Sequence, residues 1–434
     1  MTCAATSGCR SQARSQPAVG LGGAGRLGGD IRSKCTLNLL SFKERPSMNF
    51  NTFYVHRLCL QNYKSIEKCD LNLGRLAIFV GPNGSGKSNL LDSLRFMRQA
   101  LGENLDNALR ERGGISEVRR KSTGHPTNFT IGVSFELSNG RCGEYSFRIG
   151  SVKGKGYRVA HEKCVIKSTE LSGGDTFFEF RNGEVIKTSE KHLPRLSPDR
   201  LALVGLSGNE VFRPVFDGLT SVEVFNPVPG EIRIPQTPDP GDMLKRDASN
   251  IASVIERIQR MEPAVKERIE EYLALIVPGV HSVRRRGVSS WETLEFQQDV
   301  LGSSNPWSFQ ASSMSDGTLR ALGVLAALFS GVAGVLGPVG VEEPESALHP
   351  AASGILLDAV RDSSENRQVL LTTHSPDLLD SPTIGPAEIF AVRSVGGTSQ
   401  VDRLELAARD ALKESLFTAG ELLRADQLQP SQDS

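Results

Sequence analysis

The stretch Gly81-Pro82-Asn83-Gly84-Ser85-Gly86-Lys87-Ser88 constrains the fold of this chain more than any other. It fits the phosphate-loop pattern G-x-x-x-x-G-K-[ST], and its flanks read as the structure such a loop needs. Leu76-Ala77-Ile78-Phe79-Val80 is the apolar run expected of a parallel strand buried on both faces. Ser88 to Met97 has the three-four apolar spacing of a helix. Strand, glycine loop and helix N-terminus together make an anion site, because backbone N–H groups converge there and the helix dipole adds about half a positive charge. The candidate nucleotide-binding residues are therefore Gly81, Pro82, Asn83, Gly84, Ser85, Gly86, Lys87, Ser88 and Asn89. Lys87 is placed to reach the β- and γ-phosphates of ATP, and Ser88 to ligate Mg²⁺.

A chain of 434 residues can bury a large core and hold two or three structural units. Fifty basic residues balance fifty acidic ones, so net charge gives no support for a nucleic-acid partner, although a local basic patch remains open. The cysteines Cys3, Cys9, Cys35, Cys59, Cys69, Cys142 and Cys164 form no C-x-x-C pair and have no histidine at zinc spacing. They read as reduced thiols of a cytoplasmic protein. No apolar run reaches the roughly 18–20 residues of a membrane span, so no membrane partner is expected. The longest candidate, Leu319 to Val341, is rich in Gly and Ala and interrupted by Pro338, and reads as a buried helix followed by a buried strand.

Residues 1–47 carry seven basic and two acidic residues and little periodicity. They read either as an Arg- and Ser-rich transit segment or, as the composition favours, as a disordered extension upstream of ordered sequence that begins after Met48. Residues 48–150 then form the first part of a nucleotide-binding head, with strands at Val55–Leu60 and Cys69–Leu73 ahead of the loop strand. Residues 97–110 are expected to continue the loop helix until Arg112-Gly113-Gly114 breaks it. Alternating segments between 128 and 188 predict an antiparallel meander. Residues 151–310 are read as an inserted arm or lid, with a Pro-rich loop at 226–241 and helical periodicity over 248–276. Residues 311–434 return to α/β character and complete the head.

Three further motifs supply what an ATPase site needs. Val339-Gly340-Val341-Glu342-Glu343-Pro344-Glu345 is an apolar strand ending in acids. Glu342 suits a Mg²⁺-holding carboxylate, and Glu343 suits the group that orients or deprotonates an attacking water. In Gln368-Val369-Leu370-Leu371-Thr372-Thr373-His374 a β-rich strand ends in a histidine able to hydrogen-bond a γ-phosphate. Ser315-Asp316-Gly317 opens the helix from Leu319 onward and presents N–H donors to an anion, or simply caps the helix.

These four motifs, in this order, resemble those of the RecF/SMC-like, ABC-type ATPases. The compact prokaryotic RecF-like "AAA family ATPase" group is the nearest in pattern. Leu58-Cys59-Leu60-Gln61-Asn62-Tyr63-Lys64-Ser65-Ile66 is similar to that group's first strand and turn. The likeness is good over residues 53–100 and 311–380 and loose between them. It implies a P-loop NTPase α/β fold, with a mixed sheet, flanking helices, an antiparallel meander and an inserted α-rich arm. It implies that Ser315, Asp316 and Gly317 form a signature motif acting in trans on the partner's γ-phosphate in an ATP-dependent homodimer. Glu343 would then be the catalytic base, His374 the switch histidine, Glu342 and Ser88 the metal residues, and Ser346 to His349 a loop crossing the dimer interface.

Ser-Asp-Gly-Thr replaces the transporter sequence Ser-Gly-Gly-Gln, and Glu replaces Asp at 342. Both departures argue against a transporter subunit. The glutamine that senses Mg²⁺ in relatives has no clear counterpart, since Gln61 and Gln99 look wrongly situated. The resemblance implies an ATPase of DNA repair or genome maintenance, with Arg110-Glu111-Arg112, Arg119-Arg120-Lys121 and Arg284-Arg285-Arg286 as candidate DNA contacts. The alternative is an ATP-gated module that switches a separate effector protein. The roughly sixty residues after His374 are too few for the nuclease domain that some relatives carry.

Overall fold

All the strands that carry site motifs run parallel and end at one edge of a single sheet. The computed structural model describes residues 51–154, 156–168, 174–191, 197–331 and 334–431. The expectation for residues 1–47 lies outside the described residues. Strands β1 (Asn51–Tyr63), β2 (Ile66–Asn72) and β3 (Leu76–Val80) lead to helix α1 (Lys87–Gly102). The helix stops earlier than expected. Asn104 starts a new short helix, α2 (Leu105–Arg110), by accepting the Asn107 amide at 2.7 Å, so the break falls at Glu103 rather than at Arg112. Asparagine is a strong N-cap, and here it outweighs the continuing apolar periodicity.

The predicted meander is present as β4 (Asn128–Leu137), β5 (Cys142–Val152), β6 (Gly156–Ile166), β7 (Thr176–Arg181) and β8 (Glu184–Thr188). It is continuous with the nucleotide core, because β4 pairs antiparallel with β1. Next come β9 (Glu223–Phe225), helices α3 (Ile251–Met261) and α4 (Pro263–Ile276), and an antiparallel sheet of β10 (Val280–Val288), β11 (Trp291–Gln298) and β12 (Trp307–Gln310). The helical stretch 248–276 is thus two helices, parted where Pro263 opens the second. Helix α5 (Asp316–Phe329), β13 (Val335–Leu336), β14 (Val339–Glu342), α6 (Ser353–Ser364), β15 (Val369–Thr373), β16 (Ile389–Val395) and β17 (Thr398–Arg403) follow. The buried helix and strand expected over 319–341 are α5 and β14.

The main sheet runs β8-β7-β6-β5-β4-β1-β2-β17-β16-β3-β15-β14-β9. Its parallel part is β16-β3-β15-β14-β9, with Val369 opposite Leu76 on one side and Val339 on the other. Strand β15 therefore separates the loop strand from the acidic strand. Strand β3 is buried on both faces, as its unbroken apolar run requires. Ala77 and Phe79 join a core formed with α1 and the meander, while Leu76, Ile78 and Val80 join one formed with α3 to α6. Burying Phe79 on one face and Ile78 on the other contributes about 1.5–3 kcal/mol each. This is a P-loop NTPase α/β fold with a mixed sheet. Among the described residues no helix is long and apolar enough to cross a membrane.

Candidate nucleotide site

The loop at 81–88 leaves β3 and turns into α1 through Gly86, whose φ of 104° favours glycine. A Cβ at Gly86 would lie 2.1 Å from Ser399 Oγ, so this glycine also allows a close approach of β17. That approach braces the loop. Asn89 Nδ2 donates to Ser65 Oγ at 2.7 Å, Ser65 Oγ meets Ser399 Oγ at 2.6 Å, and Ser399 Oγ donates to the Ser85 carbonyl at 2.6 Å. Since Ser399 gives its proton to Ser85, Ser65 must donate to Ser399, and the chain of hydroxyls has one direction.

Lys87 folds back over the loop and donates to the carbonyls of Gly81 at 2.8 Å and Pro82 at 3.0 Å. Burial lowers its pKa below the usual lysine value, against the opposing fields of Glu343 and Glu345. Ser85 Oγ is buried and, among the described residues, has no hydrogen-bond partner. Among the described residues the amides of Gly84, Gly86, Lys87 and Ser88 donate to no protein acceptor. An orphaned hydroxyl, free helix N-terminal amides and a lysine together fit a polyphosphate. Ser88 and Asn83 are exposed at the mouth of this cradle.

The acids and the histidine arrive from the neighbouring strand ends. Glu343 Oε1 lies 3.2 Å from His374 Nδ1. Glu343 has φ of 44°, uncommon for a residue with a side chain, and is held there by its amide donating to the Thr372 carbonyl at 2.9 Å. Arg320, from α5, clamps the same turn by donating to the carbonyls of Glu342 at 2.7 Å and Glu343 at 2.9 Å. Glu342 itself is paired with Arg246 at 2.5 Å. Glu345 is buried, accepts from Thr373 Oγ1 at 2.5 Å, and burial pushes its carboxyl above the usual range. Among the described residues no three His, Cys, Asp or Glu form a metal cluster. A divalent ion would therefore need phosphate oxygens to complete its shell beside Ser88 and Glu342.

The third motif makes its contacts outside the loop. Ser315 caps α5 by accepting the Thr318 amide at 3.2 Å, and Asp316 pairs with Arg233 at 2.5 Å. A Cβ on Gly317 would meet the Ala347 carbonyl at 2.7 Å, so the signature packs against the loop Ser346 to His349 of its own chain. Among the described residues no hydrogen bond or ion pair joins Ser315, Asp316 or Gly317 to residues 81–89. The adjacent parallel strands β3, β15 and β14 thus bring the loop, His374, Glu342 and Glu343 to neighbouring strand ends.

Arg246, Ser399 and Asn226 reach the site from segments that carry none of the four motifs, and Arg320 reaches it from the helix that the third motif opens. Asn226 follows β9, the strand beside β14, and accepts from Arg320 at 2.8 Å. Gln99 is engaged by Glu111 and Arg112 at 2.8 Å each, and is structural. The basic clusters are mostly paired as well. Arg284 and Arg286 bind Glu295 and Arg285 binds Glu292, each across the β10–β11 hairpin. Arg110 pairs with Asp106, Arg112 with Asp92, Arg120 with Glu67 and Lys121 with Glu117.

A family model described as "AAA domain, putative AbiEii toxin, Type IV TA system" matches residues 76–191 and 233–380, over half of the chain. A stretch of 63 residues is 43% identical to the DNA replication and repair protein RecF of Corynebacterium jeikeium (strain K411). It spans 14% of this chain and 15% of that relative. Among solved structures, the SmcHead bound to the C-winged helix domain of ScpA aligns at a TM-score of 0.49 and 18% identity. That alignment covers 82% of this chain and 99% of that one. The SMC head domain from Thermotoga maritima aligns at 0.40 and 16%, covering 81% and 99%.

Proposed function

The chain belongs to this AAA-domain family and is of the RecF/SMC-like, ABC type, and from that premise we propose that it hydrolyses ATP at a site completed by a second copy of itself. The observation that carries the reading is the meeting of loop, acids and histidine at adjacent strand ends, with Glu343 3.2 Å from His374. Lys87 would exchange the Gly81 and Pro82 carbonyls for phosphate oxygens, while amides from Gly84 to Ser88 take the rest of the charge. Mg²⁺, held by Ser88 and Glu342, would offset phosphate charge. Glu343 would accept the proton of the attacking water, oriented by His374. Ser315 and Gly317, which among the described residues make no hydrogen bond to their own loop, would supply donors to the partner's phosphate. Closing and opening of that pair of heads would be the output, driven by differential affinity for ATP.

The target proposed first is DNA, which the partial likeness to a replication and repair protein supports. A second reading, an ATP-gated switch of a separate effector protein, is favoured by the pairing of the basic clusters with acids and by the toxin-system description of the family. An ATPase assay across a salt series with and without duplex DNA separates them. Stimulation that fades with salt supports the first, and co-purification of an effector without DNA stimulation supports the second.

A further inference from the structure

Glu345 lies two residues beyond Glu343, and its side chain is only 8% exposed. Its Oε1 accepts from Thr373 Oγ1 at 2.5 Å, and among the described residues its Oε2 has no hydrogen-bond partner. A buried carboxylate with one oxygen unsatisfied is costly to keep, so the position calls for a task. Thr373 immediately precedes His374 and is fully buried. The same hydroxyl that donates to Glu345 accepts the Ser375 amide at 3.0 Å. It thus fastens the backbone on both sides of His374, and Glu345 dictates which way its proton points. His374 is itself 41% exposed, and Glu343 is its one ion-pair partner among the described residues. An imidazole held so lightly takes its position from its backbone.

We propose that Glu345 is a positioning residue that, through Thr373, sets His374 against Glu343. The fields of Glu345 and Glu343 both reach Lys87, and the loop after Glu345 presents the Ala347 carbonyl to Gly317. Glu345 is thus fastened to the histidine strand, in a segment that two residues later packs against the signature helix. For its effect on turnover the inference rests on the ATPase reading. For its effect on the imidazole it rests on geometry alone.

The test compares Thr373→Val, Thr373→Ser and Glu345→Ala by NMR of the histidine ring in nucleotide-free protein, with His374 assigned by its loss in His374→Gln. Thr373→Val and Glu345→Ala should move the His374 resonances toward their positions in Glu343→Gln, and Thr373→Ser should leave them in place. In turnover, the first two should lower kcat by about 10- to 100-fold with the KM for ATP nearly unchanged, and the serine variant should restore it. Folded Thr373→Val with wild-type His374 resonances overturns the proposal, as does a change confined to KM. If the wild-type protein proves to have no ATPase activity, the functional reading fails and the ring resonances alone decide the inference. Should Thr373→Val not fold, Glu345→Ala carries the same comparison.

Discussion

Arg246 Nη2 lies 2.5 Å from Glu342 Oε1, so the carboxylate proposed to hold the metal is neutralised by the chain's own arginine. Arg246 comes from the segment between β9 and α3, and its carbonyl accepts the Asn226 amide at 2.8 Å. Metal entry therefore competes with a pair that ties this segment to the acidic strand.

Arg246→Ala is expected to lower the Mg²⁺ concentration that half-saturates nucleotide binding. Because Arg246 is half-exposed, the pair contributes about 1 kcal/mol or less, and the shift should be a few-fold. Titration of Mg²⁺ against a fluorescent ATP analogue measures it. A higher Mg²⁺ requirement would instead make Arg246 a phosphate ligand.

Lys87→Ala should weaken ATP binding by about 10- to 100-fold, the equivalent of the roughly 1.5–3 kcal/mol carried by charge-assisted hydrogen bonds. Calorimetric titration gives the affinity. Wild-type affinity in this variant would contradict the assignment of the loop.

Arg285→Ala should act on stability rather than on nucleic-acid binding. Its partner Glu292 is 1% exposed, and removing the arginine leaves that charge buried at a cost of about 3 kcal/mol. Urea unfolding beside a DNA retention assay checks both halves. Lost retention at unchanged stability would restore Arg284-Arg285-Arg286 as a DNA contact.

The much-buried Glu162 gives the fold a pH dependence away from the site. Burial raises its pKa from 4.5 to about 7, although Tyr145 Oη and the amides of Ala202 and Leu203 donate to it. Between those two values the unfolded chain holds fewer protons than the folded one, so stability falls as pH rises through that window and levels above about 7. The magnitude is of the order of 3 kcal/mol. Glu162→Gln should flatten this slope in denaturation curves taken at pH 5 and 7.5, and an unaltered slope would assign it to another group.

The loop, the acidic strand and the histidine strand were legible because each is a contiguous segment whose apolar run and terminal residues specify strand and site together. The meander was legible from period-two alternation. Arg246 and Arg320 were not, because tertiary packing alone brings them to Glu342 and Glu343, 96 and 23 residues away. Strand β9, three residues long, carries too little pattern to be seen. The Arg284–Arg286 run reads as a basic patch until β11 places Glu292 and Glu295 across from it. The break at Glu103 was hidden by apolar spacing that continues through it.

In the proposed mechanism two chains share each ATP. The most direct test is the native mass of Glu343→Gln with saturating ATP and Mg²⁺, since loss of the proposed base should trap the closed state. A dimer should form with ATP and disappear in a Glu343→Gln, Ser315→Arg double variant. A monomer that binds ATP under the same conditions would contradict the mechanism.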